Sequence, residues 1–115
     1  MKRAISIVAT VATLTAASAT HAAEHTILIL PGAYFPQVTY LKEGDTVHFQ
    51  NWSGAPHSII AKNDSWEMGP IADEGQASSV IAVGVQKTFY DQASQGEDGA
   101  YLVEGRMSFS DAPLD

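Results

Sequence analysis

The chain has 115 residues, a formal net charge of −7 at pH 7 and no cysteine. That length holds one small domain around a single core. The acidic balance speaks against nucleic acid and anionic lipid as partners, and no disulfide can brace the fold in any compartment.

The first residues read as a secretory signal. Lys2 and Arg3 form a basic start, Ala4 to Thr15 is small and apolar, and small residues follow. The expected cut follows Ala22, after "THA", leaving 23–115 as the mature domain; a competing cut follows Ala19, after "ASA". The apolar run is too short to span a membrane. The expected location is therefore periplasmic or secreted, with no membrane insertion after cleavage. Loss of Lys2 and Arg3 takes the formal charge from −7 to −9, which suits cations or a basic protein partner.

"HTILIL" (His25 to Leu30) is almost continuously apolar, as a strand buried on both faces would be. "QVTYL" (Gln37 to Leu41) is a second strand, and "KEGD" (Lys42 to Asp45) a turn. "TVHFQN" (Thr46 to Asn51) alternates, with Val47 and Phe49 on one side and Thr46, His48 and Gln50 on the other. "HSIIA" (His57 to Ala61) follows a short loop, and period two places His57 and Ile59 on one face. Lys62 to Ser78 reads as a long polar loop. "SVIAV" (Ser79 to Val83) and "QKTFY" (Gln86 to Tyr90) are strands, Asp91 to Gly99 is a second polar loop, and "AYLV" (Ala100 to Val103) and "RMSFS" (Arg106 to Ser110) complete the set. About eight short strands, without helical periodicity, predict an all-β, Greek-key β-sandwich.

The stretch Phe35 to Ile59 resembles the N-terminal half of a cupredoxin, such as plastocyanin, amicyanin or pseudoazurin. The residues that carry the likeness are Phe35, Pro36, Gly44, Asp45, Thr46, Val47, Phe49, Asn51 and His57, and "GAY" (Gly99 to Tyr101) adds a short second match. The resemblance implies a cupredoxin-like sandwich in which His57 stands where the family has its first copper ligand. It also implies a Cys, a second His and a Met on one loop between the last two strands. Counting from Tyr101 puts the Cys position near Gly105, in a region with neither Cys nor His. The ligand loop therefore reads as deleted to a tight turn at Glu104 and Gly105, or as one continuous strand with Gly105 as a bulge. A blue-copper centre needs a thiolate, so any copper here is not of that type.

The candidate metal residues are His57, Met68 and His25. His57 is either a copper ligand or a strand-end histidine bonded to a loop carbonyl. Met68 could add a thioether, which suits cuprous copper, or simply pack beside Trp66. Glu67 and Glu104 are the nearest expected carboxylates, His48 should face solvent, and Met107 should fill the core beside Phe109. A chain cut after Ala22 would begin Ala23-Glu24-His25, and a free amine, two backbone amides and a third-position imidazole can hold cupric copper in a square plane. No nucleophile-base-acid set stands out, so an enzyme is not expected. The sequence supports an exported cupredoxin-like protein binding copper loosely through His57, as a carrier or storage protein that meets a copper donor or acceptor. The alternative is a metal-free periplasmic module that docks a protein through the end flanked by Trp52 and Trp66.

Overall fold

Alternation over Thr46–Asn51 drives Val47 and Phe49 inward, to 0% and 2% exposure, and leaves Thr46, His48 and Gln50 on an outer face. The strand they form lies inside one of two sheets. The computed structural model describes residues 22–113. The strands are β1 (Glu24–Leu30), β2 (Ala33–Phe35), β3 (Val38–Tyr40), β4 (Thr46–Asn51), β5 (His57–Ala61), β6 (Glu67–Ile71), β7 (Gln76–Val80), β8 (Thr88–Asp91) and β9 (Glu104–Ser108). Single 3-10 turns lie at Lys62–Asp64 and Gln92–Ser94.

One sheet has the order β2-β1-β4-β7 and the other β3-β9-β8-β5-β6. The pairs β1–β4 and β3–β9 are parallel, and the others antiparallel. Ile27, Ile29, Val47 and Phe49 from the first sheet meet Ile59, Ile71, Phe89 and Met107 from the second in one dry cluster. Phe89 is its centre. Its ring takes Tyr34 edge-on at 5.0 Å and Phe49 at 5.5 Å, with Trp66 tilted at 6.0 Å.

Several expectations are corrected. β1 is not buried on both faces: Ile27 and Ile29 are buried, while Leu28 and Leu30 are half-buried. The segment 62–78 is not one loop, because β6 and most of β7 form inside it. Residues 81–85 lie outside the strands, and so do Ala100 to Val103, where Tyr101 makes only an isolated bridge to Gln95. The alternation expected along β5 breaks at a register shift between His57 and Ile59, after which Ile59, Ile60 and Ala61 are all buried. Gly69, opposite this break, has φ +114°, and a Cβ there would stand 3.1 Å from the His57 carbonyl oxygen. A glycine is what lets β6 come so near the strand that begins with His57.

Gly105 is neither a turn nor a bulge. It lies inside β9, in register with Phe89, and is buried. The connection between the last two strands is Gln92 to Val103, so the ligand loop is not deleted. The count from Tyr101 fails because it takes Ala100 to Val103 for the penultimate strand, whereas that strand is β8.

Candidate functional site

His57 is delivered by Asn51, the last residue of β4 and 0% exposed. Asn51 Nδ2 donates to the carbonyls of Ala55 (2.8 Å) and Ile71 (2.9 Å), and Oδ1 accepts from Ser53 N (3.0 Å) and Ser53 Oγ (2.6 Å). A buried amide with both ends satisfied is a rigid clamp. It folds residues 52–56 back and joins them to β6, so that β5 begins at a fixed point.

There, His57 Nδ1 lies 2.8 Å from Asp91 Oδ2, and the two side chains are 18% and 7% exposed. The contact is close but poorly aligned for a hydrogen bond, and Nδ1 is a buried ring nitrogen without a hydrogen-bond partner. The other carboxylate oxygen of Asp91 accepts from Ala93 N at 3.1 Å, opening the turn after β8. Tyr34 Oη is also buried and unpartnered; burial pushes its pKa up, and the negative charge of Asp91 pushes it further. A shallow depression of about 260 Å³ opens beside His57, lined also by Pro56, Ser58, Pro70, Gln92 and Ala93.

Asp91 is missing from the expected donors because it reads as the first residue of a polar loop. The signal lies in its position, directly after the β-type run "TFY". Glu67 and Glu104 are exposed. Met68 pairs with Ile59 across β5–β6, and its half-buried side chain packs on the core. Trp66 is no exposed anchor: it packs on Phe89, and its Nε1 donates to the Gln86 carbonyl at 2.9 Å. Trp52 is 55% exposed, as are Phe35 and Leu102 at 64% and 82%.

His25 lies elsewhere. Its Nε2 is 2.8 Å from Asp45 Oδ2. Asp45 precedes β4 while His57 follows it, so the two histidines mark opposite ends of that strand, roughly 20 Å apart at about 3.3 Å per residue. Asp45 also accepts from the amides of Ala23 (3.0 Å) and Lys42 (2.9 Å). The His25 hydrogen bond, then the Lys42 amide, hold its carboxyl below the usual range. On the outer face, His48 contacts Ser78 Oγ through Nδ1 (2.6 Å) and Glu24 Oε1 through Nε2 (3.0 Å). In that row Glu24 and Ser78 are exposed and His48 is half-buried. Among the described residues, no group of three or more His, Asp or Glu side chains converges as a metal cage.

Comparison with solved structures places this architecture. A mutant plastocyanin of fern matches with a TM-score of 0.55 at 13% identity, over 72% of this chain and 97% of that one. The chain has a cupredoxin-like fold. A pseudoazurin from Sinorhizobium meliloti matches with a TM-score of 0.51 at 15% identity, over 73% of this chain and 71% of that one. No family model matches the sequence, and no curated protein does. The cupredoxin-like likeness is therefore one of fold. Within it, the corner that holds His57 has a carboxylate beside the imidazole and no thiolate. No helix among the described residues is long and apolar enough to cross a membrane.

Proposed function

We propose that this is an exported cupredoxin-like protein without a blue-copper centre, which binds a cupric ion loosely through His57 and Asp91 as a carrier or storage protein. The observation that carries the reading is the buried, unpartnered His57 Nδ1 at 2.8 Å from the Asp91 carboxylate. A buried ring nitrogen without a hydrogen bond is costly, and a cation seated to one side of the pair and bonded to both groups would satisfy it. Imidazole and carboxylate together suit cupric copper or zinc rather than cuprous copper. A thiolate-copper centre does not fit, since no cysteine exists. With two protein donors, one of them lining an open depression, water would complete the coordination, which suits exchange with a copper donor or acceptor. The role is non-catalytic.

A second reading, a metal-free docking module for a basic periplasmic protein, draws on exposed Phe35, Trp52 and Leu102 and on the acidic charge. The test is a cupric titration by competition against a chromogenic chelator, with the N-terminus blocked by a short extension. His57→Ala and Asp91→Asn should each weaken binding about tenfold or more, at least as much as losing a group that supports a metal ligand. No intense thiolate-to-copper absorption should appear. Equal affinity in wild type and both variants would end the metal reading and leave docking.

A further inference from the structure

The buried carboxylate of Asp45 gathers more nitrogen than a turn requires. Oδ1 accepts from Ala23 N at 3.0 Å, and Oδ2 contacts His25 Nε2 at 2.8 Å and Lys42 N at 2.9 Å. The Lys42 contact is the one that closes the turn before β4. The other two come from the start of β1. In a chain cut after Ala22, the Ala23 nitrogen is no longer an amide but a free α-amine. The amine would then lie 3.0 Å from one oxygen of the carboxylate, and the imidazole 2.8 Å from the other. Donors bonded to one metal ion at about 2.0–2.2 Å and set at right angles lie about 3 Å apart, so the spacing is that of neighbouring ligands.

We propose that removal of the leader after Ala22 creates a divalent-cation site from the Ala23 α-amine, His25 Nε2 and the Asp45 carboxylate. This rests on the export reading and is independent of the His57 corner, which lies at the other end of β4. The site differs from a square plane through the amides of Glu24 and His25. Those residues already pair with Thr46 and Val47, and Thr46 N donates to the Ala23 carbonyl at 3.0 Å, so an amide chelate would pull the start of β1 out of its ladder. His25 and Asp45 line a cavity of about 230 Å³, with Tyr40, Ser110 and Asp111 in its wall, which leaves room for water ligands. The nearest cation, Lys42, also lines this cavity, and its Nζ is held there by the Phe109 carbonyl at 2.6 Å and by Asp111 at 3.3 Å.

The experiment exports the full chain carrying His57→Ala, so that only this site is read, and establishes the N-terminus by mass spectrometry. Cupric copper alone is the probe, with affinity by chelator competition and ligand count by electron paramagnetic resonance. The expected result is one ion showing coupling to amine and imidazole nitrogens only. Asp45→Asn should weaken its affinity about tenfold or more. A glycine inserted before Ala23, which displaces the amine but leaves the Asp45 turn intact, should do the same. An N-terminus other than Ala23, a four-nitrogen spectrum, or an affinity indifferent to both changes would overturn the proposal. The His57 corner fails or stands separately, on the difference between wild type and His57→Ala.

Discussion

Gly105→Ala should destabilise the protein through one collision. Gly105 is buried in β9 opposite Phe89. A Cβ there would run into Cε2 and Cζ of the Phe89 ring and come within 3.0 Å of Tyr34 Cδ2. Its φ is not among the positive ones, so alanine suits the backbone and the cost is steric alone. The Phe89 ring, 0% exposed, is hemmed by the rings of Tyr34, Phe49 and Trp66. Overpacking of this kind costs about 1–3 kcal/mol. At about 4–8 °C per kcal/mol for a domain of this size, Tm should fall by about 4–24 °C. Urea denaturation at fixed pH gives the free energy directly. Phe89→Leu trims the obstructing ring and should cost about 1–3 kcal/mol by itself, as a modest core truncation. Combined with Gly105→Ala it should cost less than the sum, with a coupling of about 1 kcal/mol or more. A Gly105→Ala chain within about 0.5 kcal/mol of wild type, the range of ordinary surface changes, would refute the described packing of β9 on β8.

The remaining predictions concern polar groups. Asp45 is ionised more readily in the folded chain, so its stabilisation is present above the ordinary carboxylate range and fades as pH falls through its folded pKa. The urea midpoint should drop from neutral to acid pH more steeply in wild type than in Asp45→Asn, and parallel profiles would remove Asp45 from the account. Tyr34→Phe deletes a buried hydroxyl without a partner and should be neutral or stabilising by up to about 2 kcal/mol; a clear loss of stability would mean that the hydroxyl is bonded. Asn51→Ala removes the clamp on residues 52–56 and should cost more than about 2 kcal/mol. It should also open that loop to limited proteolysis, and unchanged cleavage would show that the loop is held by other contacts.

Features that depend on neighbouring residues or on composition are legible in the chain itself. The strand Thr46–Asn51 and its buried face follow from period two, and the inward placing of Met107, at 2% exposure, follows from the same rule. Absence of cysteine rules out a thiolate-copper centre on composition alone. The cupredoxin-like sandwich is legible because Phe35 to Ile59 combines turn, strand and histidine in one unbroken run. Other features exist only once distant strands have paired. β7 carries a mostly exposed pattern and is a strand because β4 bonds to it along one edge, a pairing that leaves little trace in its own residues. The alternation in β5 fails where Ile59, Ile60 and Ala61 are all buried, beside an irregular pairing in which β6 advances three residues, Ile71 to Met68, against two of β5, His57 to Ile59. Asp91 comes to His57, and Ala23 and His25 come to Asp45, across long stretches of intervening chain. Such meetings are set by which strands pair and in what register, and a sequence of short, weakly patterned strands does not state its register.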